Sequence, residues 1–313
     1  MTKPVLVLVG PTASGKSDVA IELAVRLDGE IISADSMQIY RGMDIGTGKV
    51  PKEKRRVPHF GIDIINPGTP YSASLFQSYA RSCIRDIQER KKVPILVGGT
   101  GFYVRAAIDD YDFSAGEQEG NEVRERYTVM LKTQGTDAVW QELLQRDRQS
   151  AHAIHPHNAK RVIRALEMLE YEGVSYATRL KELAHISQYI SAYFYGLEVD
   201  RDILNTRIAS RIEGMFAAGL VEEVQALLDA GFGEACTARD AIGYKEIVPF
   251  IQGNCNRAEA RASIELATRR YAKRQRTWWR KDERVTWIQA DGFDPVSIAS
   301  HIADDYIEKC ATK

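Results

Sequence analysis

Short apolar runs alternate with amphipathic stretches in the first third of the chain. Residues 5–9 form an unbroken apolar run, which is typical of a parallel strand buried on both faces. Similar runs predict strands over 30–34 and 93–97, and helical spacing of apolar residues predicts helices over 16–27 and 74–89. Strands that alternate with helices indicate a three-layer α/β core with its ligand at the carboxyl ends of the strands.

The pattern changes after Asp110, where charged residues become frequent and helical spacing dominates. The predicted helices of this region are 122–131, 137–145, 158–172 and 176–183. The remaining predicted elements are strands over 192–197 and 285–288 and helices over 201–218, 221–230, 243–251 and 257–281. We therefore predict an α/β fold, with a P-loop NTPase-like three-layer core, a parallel sheet and an inserted helical subdomain. The predicted domains are 1–114 for the first part of the core, 115–188 for the insertion, and 189–313 for the second part with a basic C-terminal helix.

Composition and charge indicate a globular protein whose partners bind at local sites. The chain has 313 residues, 44% of them hydrophobic, which allows a substantial core. Its formal net charge is −1, so a nucleic-acid surface would need local clusters of Lys and Arg. Four widely spaced cysteines without a CxxC pair predict reduced thiols and no zinc site. Since no apolar run has the length of a membrane span or a signal segment, we expect a cytoplasmic protein without a membrane partner.

The segment GPTASGKS, at residues 10–17, matches the phosphate-binding pattern G-x-x-x-x-G-K-[ST] at every specified position. It lies between a predicted strand and a predicted helix, as such a loop requires. Backbone N–H groups would surround phosphate oxygens, Lys16 would neutralise their charge and the Ser17 hydroxyl would bind Mg²⁺. Thr12 and Ser14 would either donate further hydrogen bonds or be solvated loop residues. The pattern predicts a diphosphate or triphosphate ligand and does not by itself indicate a kinase.

Polar residues follow the second predicted strand. We expect Asp35 near the phosphate loop, because the carboxyl ends of parallel strands meet at one edge of the sheet. Its carboxylate would orient Mg²⁺ through water or act as a general base; the alternative is that Asp35 or Ser36 caps a helix. Gln38 offers a donor and an acceptor suited to an adenine edge.

The third predicted strand ends in GGTGF, residues 98–102. Its glycines allow a ligand to approach the backbone closely, and Thr100 would present a hydroxyl there. P-loop phosphotransferases often have an Asp for Mg²⁺ at such a strand end. No Asp occurs here, which argues against simple ATP chemistry.

Basic residues form three clusters. Residues 257–281 contain nine Lys or Arg against two Glu, with Tyr271, Trp278 and Trp279 interleaved. The smaller clusters are Lys160, Arg161 and Arg164, and Arg124 and Arg126. Such charges bind phosphate backbones, and aromatic or guanidinium planes stack on unpaired bases. The alternative is a set of solvated helices whose aromatic side chains face the core. For the nearby histidines 152, 155 and 157 we favour a turn over a metal site.

Taken in order, the motifs resemble the tRNA dimethylallyltransferases, also called tRNA isopentenyltransferases. The matching blocks, which extend from Pro4 to about Arg280, are GPTASGKS, DSMQIYRGMDIGTGK, GGTGFYVRA, HPHNAKRVIRALE, RIEGMFAAGLVEEV and AIGYKE. The resemblance implies transfer of a dimethylallyl group from dimethylallyl diphosphate to the exocyclic amine N6 of the adenosine 3′ of the tRNA anticodon, position 37, with Mg²⁺. The implied partners are the prenyl donor and the tRNA anticodon stem-loop, and we expect a monomer.

The resemblance also implies residue roles. The diphosphate-binding residues would be Gly10, Pro11, Thr12, Ala13, Ser14, Gly15, Lys16, Ser17 and Arg211. Asp35 would be the general base, and Thr100 would line the reaction channel. The tRNA-binding residues would be Asp35, Ser36, Met37, Gln38, Thr100, Arg124, Lys160, Arg161, Val162, Ile163, Arg164, Ala241, Ile242, Gly243, Tyr244, Lys245 and Glu246. GTGK stands where relatives often have GTAK, and HFGIDI where they often have HHLIDI, so the resemblance gives His59 no role.

Two other functions remain open on the sequence. A P-loop small-molecule or nucleoside kinase has the same loop followed by strand and helix units, but it has no use for three basic clusters. A nucleotide-gated RNA-binding protein without covalent chemistry would not need the Asp35 carboxylate. The sequence does not identify the apolar walls that a prenyl group needs.

Overall fold

The computed structural model describes residues 2–113, 121–184, 186–232 and 237–312. The chain divides into two compact units, Met1–Ile108 with Tyr189–Lys313, and Asp109–Gln188. We name these the sheet unit and the helical unit. Cys236 and residue 115, the predicted start of the insertion, lie outside the described residues. No helix in the described ranges is long and apolar enough to cross a membrane.

Within the described residues, the sheet unit contains one parallel sheet of six strands. The strands are β1 (Val5–Val9), β2 (Gly29–Ser33), β3 (His59–Phe60), β4 (Val93–Gly98), β5 (Ala192–Glu198) and β6 (Val285–Gln289). Their spatial order is β3-β2-β4-β1-β5-β6. Val7 of the central strand β1 lies opposite Leu96 of β4 and Phe194 of β5. Because β1 has neighbours on both edges and both faces, all five of its residues are apolar.

Helices cover both faces of this sheet. In the part of the chain that the structure describes, the α-helices are α1 (Lys16–Leu27), α2 (Ala73–Glu89), α3 (Gly101–Ile108), α4 (Glu122–Arg146), α5 (Arg148–Ala153), α6 (Ala159–Glu167), α7 (Tyr176–Ala184), α8 (Arg201–Ala217), α9 (Leu220–Asp229), α10 (Val248–Ile251), α11 (Arg257–Trp279) and α12 (Pro295–Ala311). Leu6 and Leu8 pack in one large core with α1, α8, α9, α11 and α12. The intervening valines of β1 are also buried, and side chains alternate along a strand, so a second helical layer lies on the other face.

The helical unit contains α4 to α7 and has its own core. α4 is interrupted at Gly135, whose φ of 85° and ψ of 178° are not helical. This interruption separates the two predicted helices 122–131 and 137–145. Apolar side chains such as Val139, Leu143 and Leu166 form the core of the unit. The side chain of Asn158 accepts a hydrogen bond from the Arg161 N–H and so begins α6.

The structure confirms the three-layer α/β fold and each predicted strand to within one residue at either end. The predicted helix over 243–251 is wrong in its first half. Residues 243–247 form turns, since Gly243 has φ +96°, and only Val248–Ile251 is helical. The elements that the sequence did not predict are β3, α3, α5 and α12.

Candidate active site

The carboxyl ends of β2, β4 and β1 lie side by side, because these strands are neighbours in a parallel sheet. β1 leads into the phosphate loop, residues 10–17, while Asp35 follows β2 and Thr100 follows β4. The Ser36 N–H donates a hydrogen bond to Thr100 Oγ1 at 3.2 Å and so joins two of these strand ends. The sheet therefore brings together the three motifs that the sequence predicted as one site.

The phosphate loop leads directly into the N-terminus of α1. The first N–H groups of a helix have no partner within the helix and suit a bound anion. Lys16 Nζ donates a hydrogen bond to the Pro11 carbonyl at 2.5 Å. Ser14 is 2% exposed, and within the described ranges its buried Oγ has no hydrogen-bond partner. The solvated-loop alternative is therefore wrong for Ser14, whose hydroxyl suits a phosphate oxygen.

Three ionisable side chains act on one another beside the loop. Burial and, to a smaller extent, the positive charge of Arg211 lower the pKa of Lys16 to about 7, while the Asp35 carboxylate acts in the opposite direction. Burial also lowers the pKa of Arg211, again against the effect of Asp35. Two desolvated cations beside one carboxylate leave an excess of positive charge that an anionic ligand would neutralise. The predicted diphosphate-binding role of Arg211 fits this arrangement.

Asp35 lies in a turn and not at the start of a helix. Residues 36–39 are turn residues, and Asp35 Oδ1 accepts a hydrogen bond from the Met37 N–H at 2.9 Å. The helix-cap alternative is therefore wrong. An Asp that bonds the backbone two residues ahead is held in a fixed orientation by its own turn.

Both ends of the Gln38 amide are engaged within the protein. Its Oε1 accepts a hydrogen bond from Ser33 Oγ at 2.9 Å, and its Nε2 donates to the Thr47 carbonyl at 3.3 Å. These bonds do not test the predicted adenine-reading role of Gln38, which stays a prediction. They give the side chain a role in joining β2 to the segment around Thr47.

Helix α11 contributes two side chains that sequence reasoning did not assign to the site. The Tyr271 hydroxyl forms hydrogen bonds with Thr100 and Gln275. Burial, together with the negative charge of Asp35, raises its pKa to about 12. Gln275 is 5% exposed, and its Oε1 accepts a hydrogen bond from the Thr12 N–H at 2.8 Å. Tyr271 and Gln275 are four residues apart and so share one face of α11. That spacing was the available signal, but it did not reveal which element the face contacts.

Two adjoining cavities open at this edge of the sheet. The first has a volume of about 1010 Å³ and is lined by the phosphate loop and the first turns of α1. The second has a volume of about 430 Å³ and combines apolar side chains with cations, among them Ile208, Ile212, Met215, Ile264, Arg270 and Arg274. Asp35, Arg211 and Tyr271 line both cavities. Ligands in the two cavities would therefore meet beside the Asp35 carboxylate.

A divalent metal ion would find few protein ligands at this site. Across the described ranges, no group of three or more His, Cys, Asp or Glu side chains could hold a metal ion. Ser17 is exposed at the start of α1, and it shares the first cavity with Asp35. Mg²⁺ beside phosphates is commonly held by one or two protein oxygens, substrate phosphates and water. The donor set therefore fits Mg²⁺ bound mainly to a diphosphate.

Some predicted tRNA-binding residues belong to hydrophobic cores. Val162 and Ile163 pack in the core of the helical unit, and Ala241 and Tyr244 pack in that of the sheet unit. Their exposed fractions are between 0 and 8%, so side-chain contact with tRNA does not fit Val162, Ile163 and Tyr244, whereas Ala241 lines the second cavity. The exposed cations in the same blocks are Lys160, Arg161 and Lys245.

In the helical unit, predicted RNA-binding arginines are paired with carboxylates. Glu167 is 1% exposed, and its Oε2 lies 2.7 Å from Arg124 Nη2 and 3.2 Å from Arg164 Nη1. Arg126 pairs with Glu170. A buried carboxylate needs such partners, so Arg124 and Arg164 stabilise the fold of this unit.

The cations of α11 fall into two groups. Arg276 and Arg280 both pair with Glu198, at 2.5 and 3.0 Å. By contrast, Arg270 and Arg274 are exposed and line the second cavity. Trp279 is buried, as the alternative with core-facing aromatic residues requires, while Trp278 is 42% exposed.

Comparisons with known proteins agree on one family. A model of the IPP transferase family matches residues 38–282, and one of isopentenyl transferases matches residues 3–57. The chain is 43% identical to tRNA dimethylallyltransferase of Carboxydothermus hydrogenoformans over 93% of both chains. It is 42% identical to that of Alkaliphilus oremlandii over 98% of both.

Solved structures give the same result. The tRNA Δ(2)-isopentenylpyrophosphate transferase of Staphylococcus epidermidis superposes with a TM-score of 0.71 at 38% identity, over 98% of this chain and 100% of that one. A eukaryotic dimethylallyltransferase acting on tRNA superposes with a TM-score of 0.80 at 26% identity, over 98% and 80%.

Proposed function

The chain belongs to the IPP transferase family, and we propose that it transfers the dimethylallyl group of dimethylallyl diphosphate to N6 of the adenosine 3′ of a tRNA anticodon. The main supporting observation is that the Asp35 carboxylate lines both the phosphate-loop cavity and the adjoining second cavity. A diphosphate in the first cavity and an adenine entering from the second would meet beside this carboxylate.

The reaction requires a leaving group and a nucleophile, and this chain has groups for both. The C–O bond between the allylic carbon and the diphosphate breaks, and negative charge grows on the departing oxygen. Lys16, Arg211 and the N–H groups of the phosphate loop would stabilise this charge more strongly as the bond breaks than before it. No phosphoryl group is transferred.

Asp35 would activate the nucleophile. The lone pair of an adenine amine is delocalised into the ring, so removing its proton as the N6–C bond forms makes the attack easier. The bond from the Met37 N–H to Oδ1 fixes the orientation of the carboxylate. The Thr100 hydroxyl lies beside this turn and bonds Tyr271, so it would help to shape the channel through which the amine approaches.

Mg²⁺ fits the first cavity as a partner of the diphosphate. Ser17 would supply its hydroxyl oxygen as a ligand, and Asp35 would act on the hydration shell of the ion. When bound, the ion would neutralise charge on the leaving diphosphate. Lys16 and Arg211 hold the same diphosphate from the protein side.

The tRNA would be held by exposed cations. Arg270 and Arg274 at the second cavity, with Lys160 and Arg161 in the helical unit, are suited to backbone phosphates. An adenine in a stacked anticodon loop cannot reach Asp35 unless it is flipped out of the stack. The apolar side chains of the second cavity would cover the flipped base and the prenyl group. We further propose that the enzyme acts on tRNA in the cytoplasm and that it is a monomer.

A single transfer assay tests this proposal. The purified protein is incubated with labelled dimethylallyl diphosphate, Mg²⁺ and unmodified tRNA, and the tRNA is digested to nucleosides. We expect label on adenosine N6 and release of one diphosphate per transfer. Absence of label, together with ATP-dependent phosphorylation of a small molecule, would identify a kinase instead. Tight tRNA binding without any product would identify an RNA-binding protein.

A further inference from the structure

One carboxylate outside the reacting groups receives four hydrogen bonds. Glu223, on α9, accepts bonds at one oxygen from the backbone N–H groups of Asp44 at 3.0 Å and Ile45 at 2.8 Å. Its other oxygen accepts from the Gly46 N–H at 3.2 Å and from the Tyr244 hydroxyl at 2.6 Å. Three successive backbone N–H groups that converge on one anion fix the path of the chain.

The segment held in this way is residues 43–49, and it reaches the active site through Thr47. The Thr47 carbonyl accepts a hydrogen bond from Arg211 Nη2 at 3.3 Å and one from Gln38 Nε2 at 3.3 Å. Arg211 is the guanidinium that acts on Lys16 and Asp35 beside the phosphate loop. The orientation of Arg211 therefore depends on where the Thr47 carbonyl lies.

Close packing leaves the segment little freedom to shift. A Cβ at residue 46 would lie 2.4 Å from the Tyr244 ring, and a Cβ at residue 48 would lie 2.0 Å from Arg211 Nη2. Glycine at both positions allows the ring and the guanidinium to approach the backbone. At the end of the segment, Lys49 Nζ contacts the Asp44 and Asp63 carboxylates, each at 2.6 Å.

We propose that Glu223 and Tyr244 are positioning residues for the diphosphate site, acting through the 43–47 backbone and the Thr47 carbonyl to orient Arg211 toward the leaving group. This inference rests on the proposed function, because it assumes that Arg211 binds a diphosphate. It gives Tyr244 a role that its burial permits, in place of the predicted contact with tRNA. Neither residue touches the reacting atoms.

The negative charge of Glu223 is essential to this arrangement. A carboxylate has only acceptors, so it can accept from four donors at once. In glutamine, an NH₂ group replaces one of the two carboxylate oxygens, so it would face either the Asp44 and Ile45 N–H groups or the Gly46 N–H and the Tyr244 hydroxyl. The remaining bonds would also lose the strength that the negative charge gives them. Glu223→Gln should therefore release part of the 44–46 backbone while it preserves the size of the side chain. Tyr244→Phe removes one donor and leaves the three backbone bonds, so it should produce a smaller effect of the same kind.

Glu222 offers a matched control. It precedes Glu223 on α9, it is exposed, and Glu222→Gln changes the net charge of the protein by the same amount. Affinity for inorganic pyrophosphate with Mg²⁺ is measured by calorimetry, tRNA affinity by filter binding, and donor KM and kcat by the transfer assay. For Glu223→Gln we expect pyrophosphate affinity to fall and donor KM to rise about tenfold, with tRNA affinity within about twofold of wild type. Glu222→Gln should behave as wild type.

A double-mutant cycle separates positioning from a general loss of structure. In an Arg211→Gln background, Glu223→Gln should weaken pyrophosphate binding by less than about twofold, because the group it positions is already gone. A tenfold loss in that background as well would overturn the proposal. If Glu223→Gln does not fold, the same cycle is run with Tyr244→Phe. We expect this substitution to lower pyrophosphate affinity about threefold in the wild-type background and to have no such effect in the Arg211→Gln background.

The two proposals fail in different ways. If the wild-type protein neither binds pyrophosphate nor prenylates tRNA, the proposed function is wrong. If the wild type does both, while Glu223→Gln and Tyr244→Phe match the Glu222→Gln control, the proposed function stands and the positioning role is wrong.

Discussion

The side-chain oxygen of Gln275 accepts a hydrogen bond from the backbone N–H of Thr12 at 2.8 Å, across 263 residues of sequence. This bond joins helix α11, which has exposed arginines on the second cavity, to the phosphate loop. Tyr271, one turn earlier, bonds both Gln275 and Thr100. The inner face of α11 thus supports the diphosphate site, while its outer face is suited to RNA phosphates.

We expect Gln275→Ala to weaken diphosphate binding. The Thr12 N–H would lose its acceptor in a part-buried position, and the loop would be free to move away from the geometry that surrounds a phosphate. An unsatisfied donor of this kind costs about 1–3 kcal/mol, so donor KM should rise roughly 5- to 150-fold. Calorimetry with pyrophosphate provides the direct measurement. Thr277→Ala changes an exposed residue of the same helix and should leave the affinity unchanged; equal effects of the two substitutions would contradict the role of Gln275.

Asp35→Asn should remove most of the transfer rate and leave binding in place. Asparagine retains an oxygen for the Met37 N–H, so the turn is kept, but it cannot take a proton from the adenine amine. Loss of a general base lowers a rate by about 10²- to 10⁴-fold, and we expect kcat to fall within this range. Single-turnover transfer with saturating tRNA measures the step. A variant that transferred at the wild-type rate would show that no base acts at this position.

Donor binding should weaken as pH rises through neutrality. Burial and Arg211 lower the pKa of Lys16 to about 7, so the free enzyme loses this positive charge as the pH rises above that value. The value of kcat/KM for the donor should therefore fall on the basic side. In contrast, kcat should be less affected, because a bound diphosphate favours the charged lysine.

Lys16→Arg serves as the control for this profile. Arginine remains charged throughout this pH range. In the variant, kcat/KM for the donor should therefore no longer fall as the pH rises above 7, even if the activity is lower overall.

The lowered pKa of Lys16 also affects the stability of the fold. Because the pKa in the fold is below the ordinary value of 10.5, charged Lys16 destabilises the ligand-free fold below pH 7, and this destabilisation disappears as the pH rises toward 10.5.

Much of the fold could be predicted because its signals are local. The apolar run 5–9 and the spacing in 16–27 each define one element, and the structure confirms both. β3 has two residues and forms only through pairing with β2, so no periodicity reveals it. α12 could have been predicted, since Asp294 caps it and Pro295 stands at its first position. The error over 243–247 arose because Gly243 has a positive φ, which the helical spacing of apolar residues does not reveal.

The active site could be predicted only where it follows strand ends. The phosphate loop, Asp35 and Thr100 each come directly after a buried strand, and parallel strands end at one edge. The contact between Gln275 and Thr12 depends on which face of α11 turns toward the loop, and this is determined by packing. Similarly, charge counts identified Arg124 and Arg164 but could not reveal Glu167, a buried carboxylate that requires them.

Substitutions in the helical unit should separate RNA binding from stability. Lys160 and Arg161 are exposed, so replacing both with alanine should weaken tRNA binding. The slope of log affinity against log salt concentration should become smaller in magnitude by roughly two, about one for each phosphate contact that is lost. Arg124→Ala removes a partner of buried Glu167 and should lower the free energy of unfolding by about 1–3 kcal/mol. Salt titrations of tRNA binding and thermal unfolding, both carried out on both variants, measure the two effects. If Lys160 and Arg161 can be replaced without loss of affinity, their surface is merely solvated.

Arg270 and Arg274 should contribute more to tRNA binding than other arginines of the same helix. They line the second cavity beside Asp35, whereas Arg276 and Arg280 share Glu198. Replacing Arg270 and Arg274 with alanine should therefore lower tRNA affinity about tenfold at moderate salt and reduce the salt slope by roughly two. Pyrophosphate affinity should stay at the wild-type value, since Arg211 and Lys16 are untouched. Arg280→Ala is the control, because Arg280 pairs with Glu198 and is not among the residues that line the second cavity. A loss of tRNA affinity as large as that of the double variant would mean that α11 binds RNA through its overall charge and not at the cavity.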